Sequence, residues 1–253
     1  MGGRTLIYQI LGALYKSLAI QPSIGEVGVL SGSNARDMFD IIKPISMILV
    51  DAWSASATIY TGHESAHRYW VDHPSVHEGY YGGSLEDQTT YDRLLEVAQD
   101  RFANAEGVQF LRMTSINAHS FLKKSNKTFD LIYVDANHGY EQAFDDIFLY
   151  SELLNKQGFI QLNDCCHSPD GIRQNLGVLP AAVKFCKMRD FIPIMVTNTD
   201  WTDVLFAHRE SDYIPFIDII IRENNIRYVE VPCQLLGALE VKYGRWTQNL
   251  SFK

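Results

Sequence analysis

The chain has 253 residues, of which 46% are hydrophobic and 21% charged, and its formal net charge is −8. This size and composition indicate one soluble α/β domain with insertions, and the acidic balance argues against non-specific binding to nucleic acid or anionic membranes. No apolar run approaches the ~20 residues of a membrane-spanning helix, so we expect a small-molecule partner and neither nucleic acid nor membrane.

Cysteine usage and the N-terminal segment indicate a cytoplasmic protein. Four cysteines occur, and the adjacent pair Cys165 and Cys166 fits neither a disulfide framework nor a structural zinc motif. Residues 1–21 carry apolar side chains at helical spacing, interrupted by polar residues, which is not the pattern of a secretory signal. We expect an amphipathic helix that packs on the domain or on a second copy of the chain in a homodimer.

A glycine-rich turn follows the first predicted strand, residues 24–30. The strand carries Glu26, and Gly28 and Gly32 precede Ser33 and a predicted helix over 35–42. Glycine allows a positive φ or a close approach of a ligand, and a helix start offers free N–H groups. The pattern fits a nucleotide-binding turn, although an ordinary βα turn would look similar.

The second predicted strand, residues 45–50, is apolar throughout, as expected for a strand buried on both faces of a parallel sheet. It ends in Asp51, 19 residues after Gly32. An acid about 20 residues past the glycine turn is the ribose-binding arrangement of a Rossmann-like site. The alternative is a surface acid at the end of a strand.

Residues 54–90 interrupt the alternation of strands and helices. This segment holds four of the eight histidines and five aromatic residues, and it is too long for a simple connection. We expect a lid or substrate loop, with its aromatic residues facing a ring-shaped polar acceptor. His63 and His67 have the helical spacing of a pair of metal ligands, but a metal-free polar insertion is the favoured interpretation.

Hydrophobic periodicity predicts the remaining elements in order. Helices are expected over 90–102, 118–123, 139–154 and 172–189, and strands over 108–113, 129–134 and 159–162. Pro180 should start a fresh helical segment. Strands 192–197 and 204–208 should form an antiparallel pair at the sheet edge. The tail should contain a helix over 214–224 and a strand-like piece over 227–231.

The assembled pattern resembles the class I S-adenosylmethionine-dependent methyltransferases over residues 22–208. The carrying residues are Glu26-x-Gly28-x-x-x-Gly32, Asp51, the strand FDLIYVD at 129–135 and the LLxxxGFI segment at 153–160. VDANHGYEQAFDDI and the later NDC resemble the metal-dependent O-methyltransferases of small molecules, including sugars of natural products. The resemblance implies an α/β, Rossmann-like, doubly wound, mostly parallel seven-stranded sheet with an antiparallel edge strand.

The resemblance also implies three segments: an N-terminal helix at 1–21, the methyltransferase domain at 22–210 with its 54–90 insertion, and an extension at 211–253. It implies a cofactor site in which Glu26 and the glycine turn hold the methionine end and Asp51 takes the ribose hydroxyls. Further implied cofactor contacts are Ser33, Ala52, Trp53, Ser115 and Asp135.

The resemblance implies that Asp135 and Asp164, at the ends of two predicted strands, bind Mg²⁺ or another divalent cation, with Asn163 as a possible third ligand. The carboxyl ends of parallel strands share one edge, and carboxylate and amide oxygens suit such a cation. His138, three residues past Asp135, is the expected catalytic base, and the alternative is a capping or supporting histidine. His167 is a weaker candidate, and Cys165 departs from the family pattern.

Three functions compete. The first is metal-assisted O-methylation of a small polar acceptor such as a sugar or hydroxylated metabolite. The second is a nicotinamide-dependent oxidoreductase, which the missing G-x-G-x-x-G turn disfavours. The third is a methyltransferase-fold protein with a hydroxylase-like or purely binding role. The sequence leaves the acceptor open.

Overall fold

The computed structural model describes residues 3–59, 74–169, 171, 176–199, 201–244 and 248–252. Its helices are α1 (Gly3–Ser17), α2 (Ser33–Ile42), α3 (Ala55–Ile59), α4 (Pro74–Tyr81), α5 (Gln88–Arg101), α6 (Ser115–Lys124), α7 (Tyr140–Ser151), α8 (Val178–Met188) and α9 (Ile214–Glu223). Its strands are β1 (Ser23–Val27), β2 (Ser46–Asp51), β3 (Val108–Arg112), β4 (Phe129–Val134), β5 (Leu154–Leu162), β6 (Phe191–Val196), β7 (Val204–His208), β8 (Leu239–Tyr243) and β9 (Gln248–Phe252). Residues 60–73 of the predicted lid, which include His63 and His67, lie outside the described residues.

The main sheet has seven strands in the order β3-β2-β1-β4-β5-β7-β6. The first five run parallel to one another, and β7 is antiparallel to both β5 and β6. This confirms the predicted fold class and the antiparallel pair at the edge. Because the strand order reverses between β1 and β4, the carboxyl ends of these strands flank a crevice of the kind that binds ligands.

Two apolar cores cover the two faces of the sheet. Helices α6, α7 and α8 pack on one face, and α1, α2, α5 and α9 pack on the other. In β4, for example, Ile132 faces the first core while Leu131 and Tyr133 face the second, as the period of two in a strand requires. Helix α1 buries Leu11 and Leu14 against this second face, so it packs on the domain.

Several predicted bounds differ from the structure; strand β5, for example, begins at Leu154 and not at residue 159. Helix α7 ends at Ser151, not at residue 154, because the backbone there joins the sheet: the N–H of Phe129 donates to the Leu153 carbonyl. Helix α8 begins at Val178, with Pro180 in its first turn as predicted. Residues 227–231 form no strand, since they are exposed and have no partner strand; the tail strands are β8 and β9, which pair with each other. Within the described ranges, every helix is too short or too polar to cross a bilayer.

Candidate functional site

A cleft of about 1680 Å³ opens at the carboxyl ends of β1, β2, β4 and β5. It brings together nearly all of the residues predicted from the sequence. Those lining it are Glu26, Gly28, Ser33, Asp51, Ala52, Trp53, Ser115, Asp135, His138, Asn163 and Asp164. Gly32 is not part of the lining; with φ 74° it makes the turn into α2.

Gly28 allows β1 and β4 to end side by side. Its φ is 87°, and its N–H donates to the carbonyl of Val50. A Cβ at this position would lie 2.0 Å from the carbonyl oxygen of Asp135, which is far inside contact distance. Only glycine fits both the backbone angle and the space, so Gly28 fixes the base of the cleft.

Glu26 is a buried acid with one free oxygen. Its Oε1 accepts a hydrogen bond of 2.9 Å from Asn34, which in turn accepts one of 2.6 Å from the Tyr8 hydroxyl. Its Oε2 has no hydrogen-bond partner among the described residues. Burial raises the pKa of Glu26 to about 8, although the Asn34 hydrogen bond acts in the opposite direction. A buried acceptor of this kind calls for a donor from a ligand, because leaving it unpaired is costly.

Asp51 holds the glycine turn with its carboxylate. One oxygen accepts from the N–H groups of Val29 and Leu30, both at 2.9 Å, and the other accepts from the N–H of Trp53 at 2.8 Å. A carboxylate offers about four acceptor positions. The described contacts therefore leave room for one ligand hydroxyl rather than for the two expected from the sequence.

Trp53 is only 1% exposed, so its indole ring contributes little surface to the cleft. Its N–H donates to the carbonyl of Leu30 at 2.8 Å, and the ring packs against Phe110. Ser115, which also lines the cleft, forms a hydrogen bond with the buried acid Asp146, and burial raises the pKa of Asp146 to about 7. Asp146 was not among the residues predicted from the sequence, although an acid beside the apolar stripe of α7 was a usable signal.

Asp135, Asp164 and His138 form a charged cluster at the ends of β4 and β5. His138 Nε2 lies 3.2 Å from Asp135 Oδ1 and 3.4 Å from Asp164 Oδ2. Burial alone would lower the pKa of His138. The two carboxylates, of which Asp164 has the larger effect, outweigh burial and raise the pKa to about 9. At neutral pH the imidazole is therefore mainly a cation that balances the two acids.

Two residues that the sequence analysis missed complete the cluster. Arg4 of α1 donates to Asn163 Oδ1 at 3.1 Å and lies 4.0 Å from Asp135 Oδ2 and 3.9 Å from Asp203 Oδ1. Asp203 precedes β7, and since β7 is antiparallel, its start reaches the edge at which the parallel strands end. No local pattern marks either residue, because Arg4 and Asn163 are 159 positions apart.

A protein-family model described as a methyltransferase domain matches residues 26–165, which is more than half of the chain. The chain belongs to this methyltransferase family. The matched range contains the predicted site residues from Glu26 to Asp164, and the weaker candidate His167 lies just outside it. No curated protein was found to match the sequence.

Solved structures agree with the family at the level of the fold. The O-methyltransferase from Bacillus cereus in complex with SAH is 11% identical, with a TM-score of 0.51 and coverage of 80% of each chain. Cofactor-bound Rv0187 from MTB is 14% identical, with a TM-score of 0.52 and coverage of 81% of this chain and 80% of its own. At such low identity the likeness concerns the fold alone.

The donor set of this methyltransferase does not fit the cation predicted at Asp135, Asp164 and Asn163. The Asn163 amide points its nitrogen at both carboxylates, at 3.1 and 2.6 Å, and its oxygen at Arg4. Turning the amide over would place its oxygen against two carboxylates and its NH₂ against a guanidinium. Across the described ranges, no three His, Cys, Asp or Glu side chains are arranged to hold a metal ion.

Proposed function

We propose that the chain transfers a methyl group from S-adenosylmethionine to a hydroxyl of a small polar acceptor. The observation that carries this proposal is the buried Oε2 of Glu26, which has no hydrogen-bond partner in the described part of the chain and belongs to a residue that lines the cleft. The ammonium of the cofactor's methionine end would supply both the missing donor and the missing charge. The family, and a structural neighbour that holds SAH, support the same cofactor.

The residues along the first two strands would hold this cofactor. Glu26 would bind the ammonium, the backbone around Gly28 would lie under the methionine end, and the free acceptor position of Asp51 would take one ribose hydroxyl. Ala52 and Ser115 would line the adenine end, with Trp53 supporting the wall from behind. Gly32 would act through the turn, and Ser33 and Asp135 would border the site.

His138 is the base of the proposed reaction. S-adenosylmethionine, when bound, supplies a methyl group on a positively charged sulfur. The acceptor hydroxyl gives its proton to the neutral form of His138, and Asp135 and Asp164 stabilise the imidazolium that results. Because these carboxylates raise the pKa of His138, they make it a strong base, and for the same reason only a minority of His138 is neutral at neutral pH. Asp135 and Asp164 thus contribute to the proton transfer by their charge.

Finer parts of the proposal concern the metal and the acceptor. The sequence predicts Mg²⁺, but Asn163 and Arg4 do not fit a divalent cation, so no step of the reaction described above uses one. A sugar or hydroxylated metabolite stays the predicted acceptor. Tyr80 and Tyr81 of α4 line the cleft and offer aromatic surface for such a ring.

The alternatives are less well supported. A nicotinamide-dependent oxidoreductase is not favoured, since the family is that of a methyltransferase domain and the turn lacks the third glycine of a dinucleotide site. A binding-only protein would use the same cofactor pocket without transferring the methyl group.

The test is a transfer assay with S-adenosylmethionine labelled in its methyl group. The purified chain is incubated with a panel of sugars and phenolic or hydroxylated metabolites, and the label is followed into the product by mass spectrometry. Transfer to an oxygen, lost in His138→Ala, supports the proposal. Binding of SAH with no transfer to any hydroxyl compound would point to the binding-only role.

A further inference from the structure

Helix α1 is part of the cleft and not only a support for the sheet. Two of its residues one turn apart, Arg4 and Tyr8, point toward the site: Tyr8 reaches Asn34 beside Glu26, and Arg4 reaches Asn163. One helix face thus touches both the cofactor end and the acidic end. This contact is built from a segment that precedes the range matched by the family model.

The start of α1 is held close to the sheet edge. A Cβ on Gly3 would lie 2.7 Å from side-chain atoms of both Thr197 and Thr199, which follow β6. Only a glycine lets the helix begin there without displacing these side chains. The next residue, Arg4, is therefore brought over the carboxyl ends of the strands.

Arg4 determines which way the Asn163 amide points. Because the guanidinium has donors only, it must face the amide oxygen, and the amide NH₂ is left to bond to Asp135 and Asp164. The Arg4 side chain is 34% exposed, and its charge lies about 4 Å from carboxylate oxygens of Asp135 and Asp203. Together with His138, which lies between Asp135 and Asp164, it places positive charge where a metal ion would otherwise balance the acids.

We propose that Arg4 is a positioning residue that replaces the divalent cation: it orients Asn163, offsets the acidic cluster and makes the site independent of metal. A second positive group beside Asp135 and Asp164 would repel a divalent ion, and the turned amide removes its third ligand. The link to catalysis rests on the proposed function. The statement about metal binding does not.

The test measures binding of Mn²⁺, used as a spin probe for divalent cations, by electron paramagnetic resonance. Wild type should bind Mn²⁺ weakly, and Arg4→Met should bind it at least about tenfold more tightly, because one repelling charge is gone. Arg4→Lys keeps the charge and should stay close to wild type. Arg222→Met removes the same charge from an exposed position on α9 and should change nothing.

Two results would overturn the proposal. One is tight, stoichiometric Mn²⁺ binding by wild type that Asp164→Asn abolishes. The other is a folded Arg4→Met variant that binds Mn²⁺ no more tightly than wild type does. If Arg4→Met does not fold, Arg4→Gln is compared with wild type instead. SAH binding, measured on the same samples by calorimetry, reports separately on the proposed function, so a failure there would not be mistaken for a failure here.

Discussion

Ionisation of Glu26 should control how tightly the cleft binds SAH. The pKa of this buried carboxyl is about 8 in the free protein, so most of it is protonated at neutral pH. If the ligand ammonium requires the carboxylate, binding must first remove that proton. At pH 7 this costs about 1.4 kcal/mol, the equivalent of one pKa unit. From about pH 6 to about pH 8 the affinity should then rise about fiftyfold.

Titration calorimetry of SAH into wild type and Glu26→Gln measures this effect. The variant keeps an acceptor for Asn34 but cannot ionise, so its affinity should be weaker and should not depend on pH over this range. Repeating the wild-type titration in buffers with different ionisation enthalpies should show release of nearly one proton per ligand near neutral pH.

Two controls isolate the cause. 5′-Methylthioadenosine lacks the amino-acid end of SAH, so its binding should be independent of pH in both proteins. Glu230→Gln removes a charge from an exposed position and should behave as wild type does. A wild-type affinity for SAH that stays flat from about pH 6 to about pH 8, or an equal rise in Glu26→Gln, would refute the reasoning.

Three further predictions follow from the same contacts. Gly28→Ala places a Cβ against backbone atoms and should lower the free energy of unfolding by roughly 3 kcal/mol or more, whereas Gly32→Ala should lower it by about 1 to 2 kcal/mol. Denaturant unfolding measures both, and equal losses would contradict this prediction. Tyr8→Phe removes the donor to Asn34 and should weaken SAH binding about fivefold in calorimetry. Without ligand, wild type should lose stability from about pH 4.5 to about 8, since folded Glu26 keeps a proton that the unfolded chain has lost; Glu26→Gln should be the more stable near pH 9.

The sheet and the rim of the cleft could be predicted because both depend on local patterns. Apolar runs such as 45–50 mark buried parallel strands, and the acid that ends each strand marks the shared edge. Gly28 and Asp51 could be assigned to the cleft from spacing alone. The tail could not, because residues 227–231 have the side chains of a strand but no neighbour to pair with.

The remaining features depend on contacts between distant parts of the chain. Arg4 and Asn163 are 159 positions apart, and the hydrogen bond from Arg4 turns the amide oxygen of Asn163 away from the carboxylates with which it was expected to bind a metal. Asp203 reaches the site only because β7 runs antiparallel. The division into residues 1–21, 22–210 and 211–253 stays a prediction, and so does the homodimer. In the structure, α1 and α9 pack on the same face of the sheet.

The most direct measurement of the central claim is a paired calorimetric titration of the purified chain with SAH and with NAD. The account predicts saturable binding of one SAH per chain, competitive with S-adenosylmethionine, and no heat of binding for NAD. Binding of NAD with no response to SAH would contradict the account, whatever the acceptor proves to be.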